Sequence, residues 1–145
     1  MRGVKAALLV ESLTGNTWRA AESIAANLQQ ENWSITGLSP MRRPDHASIQ
    51  AADIVLVGTW VHGAFVIGQA PWGIGAINAL PSLGGKKAVT FCTFALNPGR
   101  TLGAMDRAVE RLGADVIGGM ALHRSKLAAH TEEFAARLVG ALASA

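Results

Sequence analysis

Apolar runs alternate with amphipathic segments along the chain, and the alternation reads as five repeats of strand then helix. Val4 to Val10 is almost continuously apolar, as suits a strand covered on both faces. The next segment, about Thr17 to Gln30, places Trp18, Ala21, Ile24, Ala25 and Leu28 on one side by three- and four-residue spacing, the mark of an amphipathic helix. Trp33 to Leu38 reads as a short second strand near an edge. Pro40 to Pro44 reads as a surface loop and Asp45 to Ala52 as a short helix or turn. Ile54-Val55-Leu56-Val57-Gly58-Thr59 is β-branched and uncharged, which predicts a central strand.

Residues 61–69 read as a Gly-containing loop, after which Pro71 is placed in the first turn of a helix reaching about Leu83. Gly73 and Gly75 weaken that helix by about 1 kcal/mol each relative to Ala. Gly84-Gly85-Lys86-Lys87 punctuates, and Ala88 to Cys92 or Thr93 forms the fourth strand. Asn97-Pro98-Gly99 is a turn, followed by a helical stripe of Leu102, Met105, Val109 and Leu112 closed by Gly113. Asp115 to Leu122 is the fifth strand. Thr131 is expected to cap the last helix, with Glu132 and Glu133 in its first turn and Phe134, Leu138 and Leu142 on its inner face. Strands alternating with helices imply a parallel sheet with right-handed crossovers.

A chain of 145 residues is one domain's worth, so residues 1–145 are expected to share one core. Half the residues are apolar and 16% are charged, which excludes a disordered or solvating chain. The lone Cys92 excludes an internal disulfide. The N-terminal apolar run is too short and strand-like for a signal peptide, and no apolar segment reaches a membrane span, so a cytoplasmic location is expected. Asn32-Trp33-Ser34 matches a glycosylation acceptor by spacing alone, a chance match without secretion. The net charge is +3, carried by pairs such as Arg42-Arg43, Lys86-Lys87 and Arg124/Lys126 that lie scattered along the chain without interleaved aromatics. That distribution reads as solvated loop charge and supports nucleic-acid binding only weakly, so no nucleic-acid partner is expected.

The candidate chemistry lies in Ser12-Leu13-Thr14-Gly15-Asn16-Thr17, between the first strand and the first helix. Four of its six side chains carry hydroxyl or amide groups, and Gly15 removes a Cβ where the backbone turns tightly. Such a loop can point backbone N–H groups into a concavity at the positive end of a helix dipole, a place for an anion. It has no Lys of a nucleoside-triphosphate loop and no Gly-x-Gly-x-x-Gly spacing for a pyrophosphate, so a single monophosphate fits better. An ordinary strand-to-helix turn with an N-cap would use the same residue types.

Ser-x-Thr-Gly-Asn-Thr after the first strand resembles the phosphate loop of the flavodoxins, and the element order of nearly the whole chain is similar to theirs. The resemblance implies an α/β fold, a three-layer sandwich on a five-stranded parallel sheet of order 2-1-3-4-5, whose switch point lies between strands 1 and 3. It also implies non-covalent flavin mononucleotide (FMN) as cofactor. Ser12, Thr14, Gly15, Asn16 and Thr17 match the phosphate loop. Thr59 and Trp60 open the second flavin loop, which continues through Val61, His62 and Gly63; Cys92 and Thr93 open the third, which runs through Phe94 to Asn97. Trp60 and then Phe94 are the candidate flat surfaces for the ring. The implied activity is electron transfer between a reductase and an acceptor protein.

Three features depart from the electron-shuttling members. Val61-His62-Gly63 stands where they have Gly and then an acid; the chain has no Tyr, and it is basic where they are acidic. A His beside the ring repels an anionic reduced flavin less than a carboxylate does, which predicts a less negative potential. His46, His123 and His130 show no metal spacing and read as surface or turn residues, Cys92 as a small buried residue, and Glu11 as turned away from the anion loop. An FMN-dependent reductase of quinones or similar small molecules using NAD(P)H is the alternative from another class, and a flavin-free binding module a further one. A signalling receiver of the same strand order would need acids clustered after strands 1 and 3, where only Glu11 stands.

Overall fold

The run that opens the chain forms β1 (Lys5–Val10), buried from Ala6 onward in the computed structural model, which describes residues 3–12, 15–62, 70–71, 74–95 and 97–143. After it come α1 (Asn16–Gln30), β2 (Ser34–Pro40), α2 (His46–Ala51) and β3 (Ile54–His62). The short β4 (Ala70–Pro71) and α3 (Ile74–Asn78) follow. The rest of the fold is β5 (Lys87–Phe94), α4 (Thr101–Arg111), β6 (Asp115–His123) and α5 (Leu127–Ala143).

Five parallel strands lie in the order β2-β1-β3-β5-β6, the 2-1-3-4-5 order of the expected fold, with β4 pairing antiparallel to β3 outside that path. The alternation of strand side chains divides the core in two. Ala6, Leu8 and Val10 of β1, Ile54 and Leu56 of β3, and Val89 and Phe91 of β5 pack under α1 and α5. Leu9, Val55, Val57, Ala88 and Cys92 pack on the other face, against Ile49 of α2, Ile77 of α3 and Met105 and Val109 of α4. A fully buried Leu or Ile contributes roughly 1.5–3 kcal/mol, so these two apolar layers hold the sheet. Gly58 is required for packing: a Cβ there would lie inside the contact surface of the Phe91 ring.

Three expectations need correction. β3 does not end at Thr59; it runs to His62, where Val61 and His62, read as the start of a loop, pair antiparallel with Pro71 and Ala70. Pro71 therefore lies in a strand instead of a helix, and α3 shrinks to Ile74–Asn78 with the chain irregular by Pro81; Gly73 lies outside the described residues. Thr131 does not cap the last helix. A 3-10 turn at Arg124–Lys126 leads into α5 at Leu127, and His123 Nδ1 accepts from the Ser125 N–H, so the turn is capped upstream. Thr131 is instead fully buried; its hydroxyl donates to the Leu127 carbonyl at 2.6 Å and bonds Ser23 of α1 at 2.7 Å, joining α1 to α5.

Candidate functional site

The crevice lies at the carboxyl ends of β1 and β3, where the chain turns from β1 toward one edge of the sheet and from β3 toward the other. The Glu11 N–H donates to the Gly58 carbonyl at 2.9 Å, so pairing continues one residue past β1 and delivers the loop beside Thr59. Gly15 then turns the chain with φ +89°, a left-handed conformation that costs an L-residue about 1–2 kcal/mol, and it sits at the N-cap of α1 without a capping side chain. Among the described residues a Cβ there would meet nothing within 4 Å.

Ser12 Oγ accepts from the Gly15 N–H at 3.1 Å and, at a longer 3.4 Å, from the Trp18 N–H. The Gly15 and Trp18 N–H groups are thus taken up by Ser12, whose own O–H proton remains to donate. Among the described residues no acceptor stands against the Thr17 N–H. Thr17 is buried, and its hydroxyl lies 2.8 Å from that of Thr93 at the end of β5. One of these two hydroxyls donates to the other, which leaves one proton for a further acceptor. Asn16 Oδ1 accepts from the guanidinium of Arg19. Thr14, the remaining member of the expected loop, lies outside the described residues.

Trp60 is half-buried and stands in register with Thr93 on β5, so the tops of β1, β3 and β5 converge. Thr59 is fully buried, and among the described residues nothing hydrogen-bonds to its hydroxyl. A buried hydroxyl without a partner costs about 1–3 kcal/mol, which a ligand or a neighbouring group can recover. Val61 packs against the cluster under α3 and α4. His62 is described in its backbone alone, and Gly63 lies outside the described residues. Phe94 is half-buried at the end of β5, and the His123 ring stands edge-on to it with centroids 5.0 Å apart. Asn97 is exposed and folds its own loop, its Oδ1 accepting from the Gly99 N–H at 2.8 Å.

Glu11 is engaged by Arg42, whose Nε lies 2.5 Å from its carboxylate; only 14% of the Glu11 side chain is exposed. The pair ties the loop after β2 to the anion loop and offsets a carboxylate that would repel an anion there. His123 and His130, both half-buried, are linked: the His123 N–H donates to His130 Nδ1 at 2.9 Å, while His123 Nδ1 lies 2.7 Å from Ser125 Oγ. Their separation by seven residues matches no motif, so spacing alone could not reveal the link. Cys92 is fully buried, and burial pushes its thiol from 9.0 up to about 12, so it is neutral and inert at physiological pH. No three or more His, Cys, Asp or Glu side chains among the described residues gather as a metal site.

An αL Gly at the N-cap, the Ser12 and Thr17/Thr93 hydroxyls and a Thr59 hydroxyl without a partner among the described residues fit a phosphorylated ligand with a polyhydroxyl chain.

Residues 7–114 match the family model of the flavodoxin domain. No curated protein matches the chain in sequence. Among solved structures the chain is similar to oxidised Flavodoxin 1 from Bacillus cereus, with TM-score 0.68, 20% identity, and coverage of 94% of this chain and 97% of that one. It is also similar to two-electron reduced Megasphaera elsdenii flavodoxin, with TM-score 0.62, 20% identity, and coverage of 90% and 98%. At these identities the likeness is one of fold.

Proposed function

This chain belongs to the flavodoxin family, and on that premise we propose that residues 1–145 act as one domain carrying electrons between a reductase and an acceptor protein through non-covalently bound FMN. FMN, when bound, supplies reversible one- and two-electron chemistry. The chain's own residues bind and orient it. Ser12, Thr14, Gly15, Asn16 and Thr17 hold the monophosphate with hydroxyl and amide donors at the start of α1, without a cation from a side chain. Trp60 and Phe94 offer the flat apolar surfaces for the ring. Thr59, Val61, His62, Gly63, Thr93 and Asn97 line the remainder.

The observation that supports this reading is the αL Gly15 that starts α1 directly after β1, at the switch point of the sheet. The test is reconstitution with FMN followed by two assays. With an NADPH-dependent flavodoxin reductase added, the protein is expected to raise cytochrome c reduction in proportion to its concentration. Oxidation of NAD(P)H by a quinone with no reductase present would replace the carrier with the reductase of small molecules.

A further inference from the structure

Charges that lie scattered in sequence meet at one end of the molecule. Counting the loops that follow the strands and the first turn of each helix, the end bearing the candidate site carries Arg19, Arg42, Arg43, Arg100, Arg124 and Lys126, all exposed. Among the described residues the carboxylates there are Glu11, mostly buried against Arg42, and Asp45, whose Oδ1 accepts from the Ser48 N–H at the start of α2. Six cations against two acids make a net +4, more than the +3 of the entire chain. At the opposite end, where strands begin and helices finish, the described residues carry four of each sign. Lys86 is partly consumed there, its Nζ donating to the Gln50 and Ala52 carbonyls.

We propose that this rim docks an acidic face of a partner protein, which brings the partner's redox centre against the crevice; the inference rests on the electron-carrier reading above. The cations stand at the tips of separate elements, from the start of α1 to the turn before α5, at the end that bears the crevice. A continuous basic strip or groove that could follow a nucleic-acid backbone is not what they form. Of the six, only Arg42 is held in an ion pair among the described residues, so the others keep their charge for a partner. A field of one sign around a docking site raises encounter rates by about 10–1,000-fold at low salt and fades as salt screens it.

The experiment uses the FMN-loaded protein, photoreduced, and follows electron transfer by stopped flow to plastocyanin, an acidic copper protein, and to cytochrome c, a basic haem protein. Each electron leaves the reduced flavin and converts copper(II) to copper(I), or iron(III) to iron(II). Between about 10 and 300 mM NaCl, where the screening length falls severalfold, the rate to plastocyanin is expected to drop at least tenfold and the rate to cytochrome c to hold or rise. Arg43→Glu/Arg124→Glu should remove the salt dependence toward plastocyanin, whereas Lys87→Glu/Arg111→Glu, with the same change in net charge, should keep it. A rate to plastocyanin indifferent to salt, or equal effects of the two double variants, overturns the proposal. Submicromolar binding of a short duplex DNA at about 150 mM NaCl overturns it in favour of nucleic acid. If the protein takes up no FMN, the carrier reading fails by itself; titration of the apoprotein with plastocyanin then judges the rim, and absence of salt-sensitive binding ends it.

Discussion

The hydroxyls of Thr17 and Thr93 lie 2.8 Å apart in a buried position, fastening the first turn of α1 to the end of β5. Replacing either by Val leaves the other hydroxyl buried without its partner, at about 1–3 kcal/mol, whereas the double replacement removes both polar groups and is expected to recover much of the loss. Urea unfolding of the two single variants and the double variant checks this. Additive losses would show that the hydroxyls do not depend on each other.

Two glycines at the crevice are expected to fail differently. Gly15→Ala meets open space and carries only the cost of its φ of +89°, about 1 kcal/mol, while weakening FMN binding by disturbing the loop. Gly58→Ala drives a methyl into the Phe91 ring and is expected to lose about 1–3 kcal/mol by overpacking, with the loss seen even without FMN. Thermal melts with and without FMN separate the two effects.

Glu11 and Arg42 set the charge beside the anion loop. Glu11→Gln removes a carboxylate from that neighbourhood and should tighten FMN binding; Arg42→Ala exposes the loop to an unneutralised Glu11 and should weaken it. Arg42 is two-thirds exposed, so solvent screening limits each change to several-fold, about 1 kcal/mol. Titration at low salt measures both. Equal affinity in all three proteins would place the phosphate elsewhere.

A carboxylate at position 62 would repel the anionic reduced flavin, so His62→Asp is expected to lower the midpoint potential of bound FMN. Spectroelectrochemistry compares the two proteins. A potential that stays constant or rises removes position 62 from the ring's surroundings.

Cys92 is raised to about 12 by desolvation, so the folded state keeps the thiol neutral where the unfolded chain ionises. The sign follows from the raised value: the contribution is fully present below pH 9 and is lost as pH rises toward 12, at most on the order of 4 kcal/mol for three units. Folded protein should resist thiol reagents at pH 8, and reaction should appear on unfolding.

The fold was largely legible because its strands are buried on both faces and so write continuous apolar runs, as in Val4 to Val10 and Ile54 to Val57. The end of β3 was not legible: Val61-His62 gains its strand character from pairing with Ala70-Pro71, a contact no local pattern encodes. Thr131 misled for a related reason, since its residue type suits a cap while its hydroxyl serves the α1 and α5 contact. In the site, Gly15 and Thr17 were readable from the loop's chemistry. The inward role of Ser12 Oγ, the Thr17 and Thr93 pairing and the link from His123 to His130 depend on distances across the fold. The same holds for charge: Arg42-Arg43 and Arg124/Lys126 look dispersed along the chain and come to the same end of the sheet only once the strands align.

The loop at residues 12–17 is expected to hold the phosphate of FMN. Titration of the apoprotein with FMN and with riboflavin, with and without inorganic phosphate, tests it most directly. The account predicts one FMN per chain, binding at least about tenfold weaker for riboflavin, a difference of about 1.4 kcal/mol, and competition by phosphate against FMN alone. Riboflavin bound as tightly as FMN with no effect of phosphate, or no flavin bound at all, would contradict it.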